Sequence, residues 1–270
     1  LEIITTPQTS PETTAIAVDV GLRQGKTVIV VKDAPGFYTT RILAPYMNEA
    51  GLLLAEGVDF HRLDNLMMAF GFPVGPITLL DEVGIDIASH VGPDLQKVFG
   101  DRIADGDPTL LGDMVKAGCL GRKSGKGFYL YGDKAKGGVQ HMLSKVFGST
   151  RSGKPINPEA KKLFAKYTDK GGDVDPTQVQ QRMALRMVNE AVYCLQEEIL
   201  QNPVDGDMGA VFGLGFPPFR GGPFRYVDTV GASEVVETLD RLADQHGKRF
   251  APAELLRDVA KAGKRFHTEG

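Results

Sequence analysis

The sequence predicts a mainly α-helical chain in which two homologous helical domains follow one short βαβ unit. Three observations carry that expectation. A strand–helix–strand pattern occupies residues 1 to 31, helical periodicity dominates the rest, and blocks of the first half recur in the same order in the second.

The first segment, Leu1-Glu2-Ile3-Ile4-Thr5-Thr6, is rich in β-branched residues and ends at Pro7, which reads as a strand. Ser10 then suits a helix N-cap and Pro11 the first helical position. Ala15, Ile16, Ala17 and Val20 supply an apolar face before Gly25 ends the helix. Thr27-Val28-Ile29-Val30-Val31 is an unbroken apolar run, the pattern of a parallel strand covered on both faces. Two parallel strands make no stable sheet, so this unit is expected to be the remnant of a larger one whose other strands lie upstream. The chain is accordingly expected to be a fragment.

After Asp33-Ala34-Pro35-Gly36-Phe37 the pattern becomes helical and the duplication starts. Arg41, Asn48-Glu49-Ala50, Leu54 and Glu56 recur with unchanged spacing as Arg182, Asn189-Glu190-Ala191, Leu195 and Glu197. Gly71-Phe72-Pro73, Gly75-Pro76, Asp81 and Gly84 recur as Gly215-Phe216-Pro217, Gly222-Pro223, Asp228 and Gly231, with three residues inserted where a loop would take them. Leu110 to Gly118 aligns with Leu255 to Gly263. Between the copies, a Gly-, Lys-, Ser- and Asp-rich stretch reads as a linker with one short helix around Pro158 to Tyr167. The expected boundaries are 1–33 for the βαβ remnant, 34–133 and 175–270 for the helical domains, and 134–174 for the linker. Neither copy is expected to bury its apolar face alone, so the two should pack as a pseudo-symmetric pair.

Composition narrows the functional classes. A net charge of −3 gives no electrostatic reason for a nucleic-acid partner. Cys119 and Cys194 lie far apart without a CxxC, which argues against zinc and against a disulfide framework, and no other metal site is expected. No apolar run reaches the ~18–20 residues that cross a bilayer. The five histidines show no metal spacing and read as surface or structural, and Asp81 and Glu82 read as helix-start charges as readily as a carboxylate site. Asn48 and Asn189, poor formers repeated within helices, read as makers of buried hydrogen bonds.

Lys32 to Arg41 resembles the junction between the Rossmann and helical domains of 3-hydroxyacyl-CoA dehydrogenases. Gly71-Phe72-Pro73-Val74-Gly75-Pro76, Leu80-Asp81-Glu82-Val83-Gly84 and Gly121-Arg122-Lys123-Ser124-Gly125-Lys126-Gly127-Phe128-Tyr129 resemble that family's helical domain. The second copy, with Phe212-Gly213-Leu214-Gly215-Phe216-Pro217-Pro218, is similar to multifunctional β-oxidation proteins, first the mitochondrial trifunctional α-subunit type and next the bacterial α-subunits. The resemblance implies helical domains of the 6-phosphogluconate-dehydrogenase-like kind and an NAD-dependent oxidation of 3-hydroxyacyl-CoA to 3-ketoacyl-CoA. It also implies upstream enoyl-CoA hydratase and Rossmann domains, an acyl-CoA substrate, a thiolase subunit as partner, and the mitochondrial matrix or, as the alternative, the bacterial cytoplasm.

By the same resemblance Glu2 matches the glutamate that orients a catalytic histidine, which would lie about a dozen residues earlier. Read from the residues alone, Glu2 is an exposed charge at a strand end. Thr40 stands where many members have an asparagine that donates to substrate or histidine, and a threonine offers one donor instead of two. Lys123 matches a cofactor contact, although a basic Gly-rich loop is usually just solvated. Phe212 is a candidate substrate contact, although a phenylalanine at such a position is more often core. Without a glycine-rich phosphate turn the chain by itself is expected to be inactive. The rival reading makes the helical units an interaction module for dimerisation or for the thiolase subunit.

Overall fold

The computed structural model describes residues 1–103, 109–132, 154–168 and 174–267. It opens with β1 (Glu2–Thr5), α1 (Pro11–Arg23) and β2 (Ile29–Lys32). The strands pair in parallel, Glu2 opposite Ile29 and Thr5 opposite Lys32. Ser10 caps α1 by accepting the Thr13 amide at 3.2 Å, with Pro11 in the first turn as the sequence requires. The apolar face of α1 is where expectation fails. Ile16 and Val20 look into solvent, and α1 lies on the strands through Ala17, Val18 and Gly21 instead. Gly21 permits that approach, since a Cβ there would stand 2.8 Å from Val28 Cγ2. In and just before β2, Ile29 and Val31 are buried while Val28 and Val30 are half-buried, so one face is fully covered rather than both.

The first copy comprises α2 (Thr39–Ala55), α3 (Phe60–Phe70), α4 (Pro76–Val83), α5 (Ile85–Phe99) and α6 (Thr109–Lys116). A short helix, α7 (Pro158–Phe164), follows within the expected linker, and its Ala160 and Phe164 are buried, Phe164 edge-on to Phe60 of α3. Residues 134–153 and 169–173 of that linker lie outside the described residues. The second copy comprises α8 (Pro176–Gln196), α9 (Pro203–Leu214), α10 (Pro223–Val230), α11 (Ala232–His246) and α12 (Glu254–Lys261). Asp59, Asn157, Asp175 and Asn202 cap α3, α7, α8 and α9 through their side chains, the last three followed by a proline at the first helical position. Among the described residues no helix is long and apolar enough to cross a membrane.

The duplicated helices α2 and α8 pack against each other at the centre, and their charged residues cross over. Arg41 of the first copy donates to Glu190 (2.7 Å) and Glu197 (2.5 Å) of the second. The equivalent Arg182 donates to Glu49 (2.7 Å) and Glu56 (2.6 Å) of the first. Arg102 and Arg249, also equivalent, add bonds to Glu190 (3.0 Å) and Glu49 (2.9 Å). Residue i meeting j while j meets i is the mark of a two-fold interface, here within one chain. The symmetry breaks at Pro45 of α2, whose counterpart Arg186 donates to the carbonyls of Arg102 (2.8 Å) and Ile103 (3.0 Å). Asn189 behaves as expected, binding the carbonyl of Ala251 and the amide of Ala253 at the entry to α12.

Buried aspartates tie the Gly/Pro turns. Asp64 accepts the Ile77 amide (2.8 Å) and the Tyr129 hydroxyl (3.0 Å). Asp81 accepts the amides of Phe128 (2.9 Å) and Tyr129 (3.0 Å) and the Tyr131 hydroxyl (2.9 Å). It therefore sits near the end of α4 as a buried anchor, which corrects its reading as a helix-start charge. In the second copy Asp207 accepts the Phe224 amide (2.8 Å) and Asp228 the amides of Phe266 (2.7 Å) and His267 (2.9 Å). His267 takes the place of Tyr129: its Nδ1 lies 2.8 Å from Asp228 and its Nε2 3.1 Å from Asp207.

Burial pushes the Asp207 carboxyl up to about 7 against the pull of the Phe224 and Arg225 amides. The folded chain thus holds a proton that the unfolded chain, with an aspartate near ~3.9, releases. That contribution to stability is complete below about pH 4 and is lost as pH rises through about 7. Asp207→Asn keeps the neutral shape and an N–H toward His267 but cannot ionise. It is expected to gain on the parent by a few kcal/mol between about pH 4 and pH 8 in urea unfolding; parallel stability curves would refute the assignment.

Candidate functional site

Glu2 begins β1 and is half-buried against the loop that leads from β2 into α2. That loop turns sharply, with Gly36 at φ 77° and Phe37, a non-glycine residue, at φ 47°. Positive φ at a bulky residue is strained backbone held by its surroundings. The turn aims the first amides of α2 at the strand: Tyr38 N–H and Thr39 N–H both donate to Glu2 Oε1, at 2.8 and 3.1 Å, and Thr39 Oγ1–H donates to Oε2 at 2.6 Å. Tyr38 gives α2 no side-chain cap of its own. A carboxylate from another element caps the helix instead, where the helix dipole favours negative charge. Oε1 thereby uses both lone pairs, while Oε2 retains one. The group is fixed in position and can accept one more N–H.

Glu2 lines a cavity of about 330 Å³. Glu2, Lys26, Thr39, Met208, Gly209 and Phe212 are among the residues that line it. Of the expected site residues, Glu2 and Phe212 are brought together. Phe212 is not core: it is 67% exposed at the rim. Thr40 is exposed and outside the cavity lining, and its neighbour Thr39, which sequence reasoning passed over, makes the bond to Glu2. Lys123 is also outside the lining; its ammonium donates to Asp86 Oδ2 on α5 at 2.7 Å. Met208 and Gly209 were missed as well, and the signal that could have found them is the unusual glycine content of α9. The cleft is thus shared, its first-copy wall reduced to Thr39 and its opposite wall supplied by the second copy.

These residues do not fit a dinucleotide. Such a site needs a glycine-rich turn between strand and helix that offers free amides to phosphate. The turn after β1 is Thr6-Pro7-Gln8-Thr9-Ser10, and its groups bond one another: Thr6 N–H to Thr9 Oγ1 (3.0 Å), Thr9 N–H to the Thr6 carbonyl (3.0 Å).

Comparison with known proteins follows the duplication. The family model described as the C-terminal domain of 3-hydroxyacyl-CoA dehydrogenase matches residues 36–131 and again 179–270. Over 268 residues the chain is 46% identical to the fatty acid oxidation complex subunit alpha of Shewanella loihica, covering 99% of this chain and 35% of that one. The protein of the same name from Idiomarina loihiensis is 45% identical over 272 residues, with 98% and 35% covered. The chain therefore spans about a third of the length of the curated relatives it matches. In fold it resembles the 3-hydroxybutyryl-CoA dehydrogenase of Escherichia coli, with a TM-score of 0.72 at 21% identity, over 97% of this chain and 67% of that one. It likewise resembles the dehydrogenase part of multifunctional enzyme 1 from C. elegans, with a TM-score of 0.63 at 24% identity, over 95% and 55%.

Proposed function

The chain belongs to the family of 3-hydroxyacyl-CoA dehydrogenase C-terminal domains, and from that premise we propose that it forms the substrate-facing half of an L-3-hydroxyacyl-CoA dehydrogenase of fatty-acid β-oxidation within a longer polypeptide. The observation that carries the reading is the Glu2 carboxylate, clamped by the first turn of α2 in the lining of a cavity.

A carboxylate so held can accept the N–H of an imidazole, fix its tautomer and stabilise the imidazolium that forms when the ring takes a hydroxyl proton. In this proposal the histidine comes from the preceding segment. NAD is the proposed hydride acceptor, and since the turn after β1 cannot cradle its phosphates, its binding residues belong elsewhere in the longer polypeptide. Thr39 acts as a positioning residue through Glu2. Thr40 and Lys123 retain no direct role in this reading, and Phe212 lies at the substrate side.

The relatives are bacterial, so of the two expected compartments we propose the bacterial cytoplasm in place of the mitochondrial matrix. An upstream hydratase and a thiolase partner fit the relatives' length and their description as a subunit of a complex. The rival interaction-module reading loses its most obvious surface, because the charged faces of α2 and α8 are already spent on each other.

The test follows NADH absorbance with acetoacetyl-CoA. The 270-residue chain alone is expected to give no turnover, and the polypeptide of the relatives' length is expected to be active. Turnover by the isolated chain, or none by the longer protein, would overturn the proposal.

A further inference from the structure

The two copies differ most where one of them touches the Glu2 corner. Counted from their N-caps, Asp59 and Asn202, helices α3 and α9 can be compared position by position. Where α3 carries Leu63, Leu66 and Phe70, α9 carries Gly206, Gly209 and Gly213. Glycine within a helix costs about 1 kcal/mol relative to alanine, so three of them need a compensating contact. They have one. A Cβ on Gly209 would stand 2.7 Å from Ile29 Cδ1 and 3.1 Å from the Tyr38 ring, and one on Gly213 would stand 3.3 Å from Thr39 Cγ2. The Tyr38 hydroxyl donates to the Gly206 carbonyl at 2.9 Å. The backbone of α9 therefore lies directly on β2 and on the turn that clamps Glu2.

The adjoining face of α9 differs from α3 in the opposite sense. Val204, Met208 and Phe212, spaced four apart, form an exposed apolar stripe, at 55%, 38% and 67% exposure. The same positions of α3 hold His61, Asn65 and Ala69. Only the copy that reaches the carboxylate corner has an apolar stripe there. Eight helical steps span roughly 12 Å, and Met208 and Phe212 line the cavity at the Glu2 end.

We propose that Met208 and Phe212, continued by Val204, form the wall along which the hydrocarbon tail of the acyl substrate lies. The second copy then sets chain-length preference at the Glu2 corner. This inference rests on the dehydrogenase reading of the Glu2 corner.

The experiment uses the polypeptide of the relatives' length with Met208→Ser and Phe212→Ser combined, and 3-hydroxyacyl-CoA substrates of four and sixteen carbons. Burying one methylene stabilises by ~0.8 kcal/mol, about fourfold in affinity, so losing contact with several should cut kcat/KM for the long substrate by at least about tenfold more than for the short one. The loss is expected in KM, with kcat nearly kept. Phe212→Leu, which restores an apolar surface, should recover most of it. In the 270-residue chain, where these side chains are exposed, the same double change should barely move the thermal midpoint. Equal losses on both substrates would overturn the inference and mark the stripe as a docking face for the preceding segment; no loss on either would overturn it outright. Absence of activity on every acyl length in the unmodified protein would instead sink the dehydrogenase reading on which it stands.

Discussion

In the polypeptide of the relatives' length, Glu2→Gln is expected to lower kcat by about 10² to 10⁴, the range that general-base assistance and its orienting carboxylate contribute. Glutamine has the volume and can still accept the Tyr38 and Thr39 amides through its carbonyl oxygen. Its amide nitrogen must then occupy the position of Oε2, where it presents N–H groups to a site that needs an acceptor. It also removes the negative charge that favours an imidazolium. The loss of a charge at the start of α2 costs only about 0.3–1 kcal/mol, so the variant should stay folded and bind substrate with little change in KM. Steady-state rates decide the matter: a decrease of less than tenfold would leave Glu2 as a helix cap and nothing more.

Glu49→Ala is expected to cost about 3–5 kcal/mol, the range for breaking a buried ion pair from one side. Glu49 is fully buried and takes Arg182 at 2.7 Å and Arg249 at 2.9 Å, with Arg186 at 3.9 Å. Burial opposes its charge, yet the bond from Arg249 and the charges of Arg182 and Arg186 hold its carboxyl below the usual range. Without it, three guanidinium groups lose the carboxylate they share, and Arg182 keeps only Glu56. For a chain of this size the thermal midpoint should fall by something near 10 °C. Glu190→Ala, the counterpart, should cost less, since Arg41 and Arg102 both keep Glu197 as a partner. Paired replacement of Glu49 and Arg182 by methionine is expected to be milder than Glu49→Ala, because one of the three guanidinium groups that lose Glu49 goes with it, the volume is refilled, and Glu56, the partner left behind, is partly exposed. If the pair proved worse than Glu49→Ala, the desolvation argument would fail.

The duplication was legible because spacing is a one-dimensional property: Arg41, Glu49 and Glu56 announce Arg182, Glu190 and Glu197 without any coordinates. Their pairing was not. Nothing in the string says that Arg41 reaches Glu190, 149 positions away, rather than a carboxylate of its own helix. The same limit explains the site. Glu2 was reached through resemblance, but the amides that hold it lie 36 and 37 residues on, and a one-residue shift on the first turn of α2 separates Thr39 from the expected Thr40. Phe212 read more readily as core because an aromatic on a helix usually is. Gly206 and Gly209 carry the buried seam of α9 instead, and residues without side chains leave no apolar period to read. Asp81 and His267 looked peripheral for a related reason, since their partners come from segments distant in sequence.

The crossed arginine and glutamate pairs join halves of one polypeptide, so their association is an intramolecular event governed by tether length and not by dilution. Two separate protomers would come apart as they were thinned, and any change in one would appear in the other. Here neither holds. The paired halves should persist at any protein concentration, and each half can carry what its twin cannot: Arg186 facing where its counterpart is Pro45, and a glycine-lined helix on only one side of the axis.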